Sequence, residues 1–183
     1  MFYVKLPVND KIRIDYPSSY VIKQKNFCEI QKNFECAGFS SAYILRHFNI
    51  QTSGLIEYNK IKYKTFSGLV FPKGILKLFE KYNFKATFYR GNIQQLKMRI
   101  SNGVPVIALI KSLENKNYLH YISVIGYDDE NLYLAESLEE LINSKETTNY
   151  NRIIKIDDFI KLWDINVPFH KCSYFVIENI GTV

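Results

Sequence analysis

The stretch EIQKNFECAGFSSAYILRHF, residues 29–48, is the most informative part of the sequence, since a polar segment, a single cysteine and a long apolar run follow one another in it. The apolar side chains that follow Cys36 recur at helical spacing, which predicts a central, buried helix that begins at the cysteine. Cysteine attacks a carbonyl carbon only as its thiolate, and the N-terminus of a helix favours negative charge. Cys36, Ala37 and Gly38 are small and leave a substrate room to approach. Cys36 is therefore the candidate nucleophile.

The other two cysteines lack this setting, although Cys36 considered alone also fits a small buried core residue. Cys28 lies in KQKNFCEI, where no helix opens behind it, and Cys172 lies in a late strand pattern. Three cysteines leave one over after any single disulfide, which favours a reducing compartment or a reserved reactive thiol over a disulfide scaffold. A bridge between Cys28 and Cys172 stays open at this point.

The composition predicts one ordered domain over residues 1–183, because 47% of the residues are hydrophobic and 15% are aromatic. The net charge is +6, but the lysines are spread along the chain without a nucleic-acid motif, so we expect no nucleic-acid partner. No apolar run has the length of a membrane span, and polar residues break residues 1–17 before a signal-peptide core could form. We expect a cytoplasmic protein, with secretion open if a leader has been removed.

The sequence pattern changes from helical spacing to strands near Gly103. Before this glycine, helices are predicted after Pro72 and between Asn92 and Gly103. After it, β-branched and aromatic segments divided by turns predict mostly antiparallel strands. These segments are residues 104–110, 120–127, 131–136, 151–156 and 171–178. A short helix capped by Asp157 interrupts the series.

This order of elements predicts an α+β fold with two lobes. A helical lobe of about residues 25–103 would pack against a sheet lobe of about residues 104–183. The junction between two such lobes is a natural cleft. A candidate site should therefore combine residues from both lobes.

Among the three histidines, His120 suits a general base best. It opens a predicted strand after a polar loop, so its ring can project from the sheet edge into the cleft. His47 lies about three turns from Cys36 on the same predicted helix, which is too far to accept its proton. We interpret His47 as a favourable C-terminal charge or a packed ring, and His170 as a surface residue.

The hairpin that follows His120 brings Glu136 back beside it, where a carboxylate can orient the imidazole. The two residues are an even number of positions apart. They therefore share a face only if the hairpin loop holds an odd number of residues, as it would if Asp128, Asp129 and Glu130 form it.

An oxyanion donor completes the candidate site. Acyl transfer depends on fixed N–H groups aimed at the developing oxyanion, and the backbone N–H of Cys36 can provide one. Gln31, five residues before the cysteine, carries an amide that would complete the pair. No metal-ligand spacing and no Gly-rich phosphate loop occurs, so we expect neither a metal nor a cofactor.

Several segments together resemble the papain-like cysteine peptidases of the bacteriocin-processing, double-glycine type. They are QKNFECAGFSSAYILRHF with Gln31 and Cys36, the central residues 71–110, and HYISVIGYDDENLYLAES, residues 120–137. The resemblance extends to IDDFIKLW, residues 156–163. It implies a papain-like fold, peptide-bond hydrolysis and a peptide or protein substrate.

The resemblance also implies a role for each candidate residue. Cys36 takes the nucleophile position, His120 that of the general base, Glu136 that of the acid, and Gln31 that of the oxyanion hole. The same apparatus would equally run deamidation or acyl transfer to an amine. A catalytically inert module that binds leader peptides is the alternative from another class, and nothing in the sequence indicates the oligomeric state.

Three residues depart from the family pattern. Ala37 replaces the glycine that usually follows the cysteine, Glu136 replaces an aspartate, and Ser137 replaces the proline that commonly comes next. The best-known members of the family are fused to peptide exporters and cut leader peptides after two glycines. This sequence resembles a free-standing relative, whose substrate need not be a leader.

Overall fold

The computed structural model describes residues 15–114, 118–168 and 170–180. The helices in this part of the chain are α1 (Cys36–His47), α2 (Gly54–Lys60), α3 (Pro72–Glu80), α4 (Ile93–Ser101) and α5 (Ile156–Trp163). The strands are β1 (Tyr20–Val21), β2 (Phe84–Arg90), β3 (Val106–Lys111), β4 (Leu119–Tyr127), β5 (Asn131–Ala135), β6 (Arg152–Lys155) and β7 (Ser173–Asn179). A 3-10 turn covers Glu139–Leu141. Most of the N-terminal stretch that bears on a signal peptide lies outside the described residues.

One sheet organises the fold. Its strand order is β2-β7-β3-β4-β5-β6, with β1 on β4, and every described pair is antiparallel. Alternate residues of β3 enter two different core clusters. Val106 and Ala108 pack with residues of α4 and α5, whereas Ile107 and Leu109 pack with residues of α1 and α3. Helices thus cover both faces of the sheet, which explains the continuous apolar run of this strand. The predicted α+β fold is confirmed.

Local signals place helix α4. The side chain of its N-cap residue Asn92 accepts a hydrogen bond from the backbone N–H of Gln95 at 2.9 Å. The Gln95 side chain accepts from the Asn92 backbone N–H at 3.0 Å, which completes a capping box. Gly103 follows the helix with a φ of +85°, a conformation that glycine adopts without strain. Both predicted boundary residues of this helix are confirmed.

The cap predicted for α5 is wrong. The helix begins at Ile156, and its N-cap is Lys155, which makes no side-chain capping bond. Asp157 and Asp158 lie inside the first turn instead. Their carboxylates favour the helix there through its dipole rather than through a cap.

Strand β2 was not predicted. It pairs with β7 along its whole length, from Phe84 opposite Asn179 to Arg90 opposite Ser173. It therefore lies before Gly103, on the side of the chain where the sequence indicated helices. Because its partner comes from the other end of the chain, no local pattern reveals the pairing.

The loop of the hairpin between β4 and β5 is even, so the predicted odd loop is wrong. Tyr127 pairs with Leu132. The Asp128 backbone N–H donates to the Asn131 carbonyl at 3.0 Å, which leaves residues 129–130 as a loop of even length. With a regular ladder, this loop would place the carboxylate of Glu136 on the wrong face.

A β-bulge in the hairpin brings the side chain of Glu136 to the face of the sheet on which His120 lies. The register shifts between Val124 and Gly126, after which Ser123 pairs with Ala135. The next residue, Glu136, then comes level with Ile122. Since side chains alternate along a strand, Ile122 and His120 share a face. The hairpin therefore brings Glu136 to His120 through an even loop and one bulge.

Candidate active site

Cys36 lies at the N-terminus of α1, where the backbone N–H groups have no side-chain cap and the first turn holds no acidic residue. The N-terminus of a helix is in general a position that favours negative charge. Gly38 lets α2 approach this end of the helix closely. A Cβ on Gly38 would lie 2.4 Å from the Gly54 carbonyl oxygen and 2.5 Å from the Tyr58 side chain. The packing of α2 therefore requires glycine near the start of the helix.

His120 lies at the start of β4 and is 2% exposed. Its Nε2 and the Oε1 of Glu136 are 2.7 Å apart. The Cys36 side chain lies within hydrogen-bonding reach of the same ring. Because Nε2 faces the carboxylate, Nδ1 is the ring nitrogen left for another partner. The structure thus brings together the sulfur, the imidazole and the carboxylate that the sequence singled out.

Charges within this buried group shift the pKa values of both members of the pair. Burial has the largest effect on His120 and lowers its pKa, but the Glu136 carboxylate and the Cys36 side chain outweigh it, so the pKa is raised above 6.5. Burial likewise has the largest effect on Glu136 and raises its pKa. The charges of His120 and Arg152 outweigh that effect, so the pKa is lowered below 4.5. Both shifts favour the charged forms, an imidazolium beside a carboxylate.

Glu136 follows the last residue of β5, and its carboxylate is held from several sides. Oε1 accepts the backbone N–H groups of Ser137 at 2.8 Å and Leu138 at 2.9 Å, in addition to facing His120. Oε2 accepts from Nη1 of Arg152 at 2.8 Å. The Asn151 side chain also bonds the backbone N–H and carbonyl of Glu136. These contacts fix the glutamate side chain beside His120.

Little in the sequence points to Arg152. Its side chain is 9% exposed and forms the ion pair with Glu136. The one signal is a cation directly before the apolar pair Ile153 and Ile154 in a predicted strand, residues 151–156. A buried charge needs a partner, so that position could have been flagged, but the identity of the partner could not.

Gln31 lies on the extended segment before α1, and its amide has two described partners. Its Oε1 accepts a hydrogen bond from the Ser137 hydroxyl at 2.6 Å, and its Nε2 donates to the Asn33 carbonyl. Its backbone N–H donates to the Ser137 carbonyl at 2.9 Å. Gln31 lines the same cleft as Cys36 and His120.

This cleft has a volume of about 370 Å³. Beyond the candidate residues, its walls are mostly apolar, with a smaller number of polar groups. The apolar lining consists of Phe34, Leu69, Leu113, Tyr118, Leu119, Leu138 and Leu141, and the polar lining includes Lys32, Asn33, Ser112 and Glu140. An apolar groove with a few convergent polar groups is typical of a binding site for an organic substrate.

The remaining cysteines lie in different surroundings. All three cysteines are free, so Cys28 and Cys172 form no bridge. Cys28 donates its thiol hydrogen to the carbonyl oxygens of Thr148 and Asn149 at 3.6 Å, and burial raises its pKa to about 12. Burial also raises the pKa of Cys172. Neither thiol favours the anionic form.

The other histidines lie apart from the cleft lining. His47 ends α1, where burial lowers its pKa and its ring packs edge-on against Phe48 at 5.2 Å between centroids. Of the two interpretations of His47, the packed ring is the one observed. Nδ1 of His170 lies 2.8 Å from the Pro168 carbonyl oxygen.

The described part of the chain holds neither a metal cluster nor a membrane-spanning helix. Within residues 15–114, 118–168 and 170–180, no three His, Cys, Asp or Glu side chains group so as to hold a metal ion. Across the same residues, no helix has both the length and the apolar character needed to cross a membrane.

Solved structures with a similar fold include peptidases and proteases. The peptidase domain of Streptococcus ComA, a bifunctional ABC transporter involved in quorum sensing, gives a TM-score of 0.64 at 14% identity, covering 83% of this chain and 97% of that one. A double-glycine-motif protease from an AMS/PCAT transporter, solved with the leader peptide, gives 0.60 at 13% identity over 84% and 91%. A Carica candamarcensis cysteine protease in complex with E-64 gives 0.56 at 14% identity over 89% and 99%. These likenesses show that the fold is papain-like.

Sequence comparison identifies the family. None of the curated proteins matches the chain in sequence. The Peptidase_C39 like family matches residues 22–167, which is well over half of the chain. Together with the fold, this match supports a cysteine peptidase and confirms the resemblance drawn from the sequence. The chain therefore belongs to the Peptidase_C39 like family.

Proposed function

We propose that the protein is a cysteine peptidase in which Cys36 is the nucleophile and His120 the general base. Glu136 orients the imidazole and stabilises its protonated form, and the side-chain amide of Gln31 donates a hydrogen bond to the oxyanion. One observation carries the proposal: the Cys36 side chain meets the His120 ring in the cleft, while Nε2 of that ring lies 2.7 Å from Glu136. Catalysis by a thiol needs a nucleophile beside a base and an orienting group on the far side of that base, which is the spatial order of Cys36, His120 and Glu136.

The first half of the reaction forms a thioester. In the reacting pair the proton of the thiol has passed to Nδ1 of His120, and the Cys36 thiolate attacks the carbonyl carbon of the peptide bond. The oxyanion of the tetrahedral intermediate accepts hydrogen bonds from the Cys36 backbone N–H and the Gln31 amide. As the C–N bond breaks, the imidazolium gives its proton to the departing amine.

The second half of the reaction releases the acid. His120, now neutral, takes a proton from a water molecule, whose oxygen attacks the thioester carbonyl. The C–S bond breaks, and the Cys36 sulfur leaves with the proton returned by the imidazolium. Glu136 stays ionised throughout, because its pKa is lowered by His120 and Arg152. Its charge stabilises the imidazolium that both halves require.

The substrate of the proposed reaction is a peptide. The apolar walls around Cys36 suit apolar side chains next to the scissile bond. The AMS/PCAT transporter protease, which shares the fold, was solved with a leader peptide. For this chain we propose a peptide substrate without assigning it a leader sequence.

A peptide panel tests the proposal. The purified protein is incubated with peptides of varied sequence, with the Cys36→Ala variant as the control, and products are identified by mass. Hydrolysis yields two fragments whose masses together equal the peptide plus one water. Deamidation leaves one chain with a changed side chain, and acyl transfer joins a fragment to an added amine. Either result, or intact peptides that bind without reacting, would contradict the proposed hydrolysis.

A further inference from the structure

Ser137 lies between two parts of the candidate machinery. It is 5% exposed, and its backbone N–H donates to Oε1 of Glu136 at 2.8 Å. Its hydroxyl donates to Oε1 of Gln31 at 2.6 Å, and its carbonyl accepts the Gln31 backbone N–H at 2.9 Å. One buried residue therefore contacts both the orienting carboxylate and the oxyanion donor.

We propose that Ser137 is a positioning residue that fixes the amide of Gln31 with its N–H groups toward the substrate oxyanion. The inference rests on the proposed peptidase function. It adds a residue to which the proposed function gives no role, and the hydroxyl of this residue acts on the reaction only through Gln31.

The partners of the Gln31 amide determine which way it faces. The Asn33 carbonyl oxygen can only accept a hydrogen bond, so the amide nitrogen must face it. The amide oxygen then faces the Ser137 hydroxyl, which donates to it. A flipped amide would set two carbonyl oxygens against each other at Asn33. The Asn33 carbonyl therefore selects the orientation, and the Ser137 hydroxyl, which can donate or accept, holds the amide oxygen in that orientation.

This orientation leaves an N–H group for the substrate. The amide nitrogen of Gln31 carries two hydrogens, and the Asn33 carbonyl is its one described acceptor among residues 15–114, 118–168 and 170–180. The side chain lines the cleft together with Cys36. The second N–H is therefore available to an oxyanion formed at a carbonyl under attack by the sulfur.

Two of these contacts depend on the residue type at position 137. A proline there could donate neither of them, because it has no backbone N–H and no hydroxyl. Serine donates both, one to Glu136 and one to the side chain of Gln31.

The Ser137→Ala variant tests the role of the hydroxyl, because alanine retains both backbone contacts. We expect kcat for peptide hydrolysis to fall about tenfold with KM unchanged, since a misplaced amide weakens binding of the transition state alone. The rate of Cys36 alkylation by iodoacetamide should stay unchanged, because displacement at a saturated carbon forms no oxyanion. Ser137→Thr, which keeps the hydroxyl, should retain most of kcat.

Two further variants separate this role from a structural one. In a Gln31→Ala background, Ser137→Ala should cause no additional loss of kcat, because both changes remove the same interaction. Ser173→Ala is the matched control. It removes a hydroxyl of a 0% exposed serine that donates to the His170 carbonyl at 2.7 Å, and it should leave kcat unchanged.

Each contrary result has a distinct meaning. The inference about Ser137 is overturned if Ser137→Ala leaves kcat unchanged. It is also overturned if Ser137→Ala lowers kcat about tenfold further in the Gln31→Ala background. Neither result bears on the proposed peptidase function. A parallel fall in the alkylation rate overturns it too, because Ser137 would then act through Glu136 and the thiol pair. A wild-type protein that hydrolyses no peptide overturns the proposed function, and this inference with it.

Discussion

Cys28 and Cys36 lie on neighbouring segments, and their surroundings differ in almost every respect. Cys36 begins helix α1, meets the His120 ring and opens into the cleft. Cys28 donates its thiol hydrogen to two backbone carbonyl oxygens, and burial raises its pKa to about 12. Two thiols of one chain thus differ through their surroundings: a helix terminus and an imidazole are features that favour a reactive thiol, and burial against backbone carbonyls is not.

Exchanging each thiol for alanine gives the largest expected contrast. Cys36→Ala should lower peptide hydrolysis by at least about 10⁴-fold, to background, because the nucleophile is lost. Cys28→Ala should leave kcat within about twofold of wild type, since that thiol is held as a neutral donor. Mass spectrometry after treatment with E-64 should find label on Cys36. Label on Cys28 at an equal rate would contradict the assignment.

The same contrast applies to two buried glutamates. Glu136 bonds His120 and Arg152, whereas Glu57, 0% exposed, bonds Lys60 at 2.8 Å and Tyr82 at 2.7 Å. Glu136→Gln should lower kcat roughly 10-fold to 100-fold, because a neutral amide no longer stabilises the imidazolium. Glu57→Gln should lower stability by about 1–3 kcal/mol yet leave kcat unchanged.

Steady-state kinetics and urea unfolding of both glutamine variants separate these outcomes. A kcat loss of similar size in Glu57→Gln would show that buried charge in general, rather than the contact with His120, supports activity. A normal kcat in Glu136→Gln would remove the carboxylate from the mechanism.

The local elements were predictable because their signals are local. Apolar spacing after Cys36 marked α1, and Asn92 with Gly103 marked both ends of α4. These features depend on residues within a few positions of one another. The strand pattern around His120 likewise placed it at the start of β4.

The contacts that complete the site depend on residues far apart in sequence. The Glu136 carboxylate reaches His120 only because a bulge near Ile125 corrects an even hairpin loop. Its second partner, Arg152, comes from the next strand of the sheet. Pairing of β2 with β7 joins distant parts of the described chain. Such contacts follow from the assembled sheet, so no local spacing predicts them.

The stability of the fold should depend on pH through His120, because its pKa differs from that of an exposed histidine. The folded-state pKa of His120 is raised, so its contribution is fully present below pH 6.5 and is lost as pH rises through the raised value. Glu136 has a lowered pKa, so its contribution is present above pH 4.5 and is lost as pH falls through the lowered value. The charged pair therefore stabilises the fold most between pH 4.5 and pH 6.5.

Urea unfolding of wild type and His120→Gln at a series of pH values measures this effect. Wild type should exceed the variant in stability by the largest margin between pH 4.5 and pH 6.5, the ordinary pKa values of the glutamate and the histidine. This margin should shrink as the pH rises above 6.5. An advantage that grows with rising pH would contradict the charged pair.

The smallest effect is expected at the other end of α1. His47 is buried and its pKa is lowered, so it carries no charge at neutral pH and serves as a packed ring against Phe48. His47→Gln should change kcat less than about twofold while lowering stability by roughly 1 kcal/mol. A large loss of kcat with normal stability would give His47 a part in catalysis.

The rate at which iodoacetamide alkylates Cys36 at neutral pH tests most directly whether Cys36 and His120 act as a pair. The rate is followed by mass spectrometry in wild type and in His120→Gln, each with Cys28 and Cys172 replaced by alanine. Loss of the imidazole should slow alkylation at least about tenfold, because no base remains to take the thiol proton. Equal rates in the two proteins would contradict this pairing.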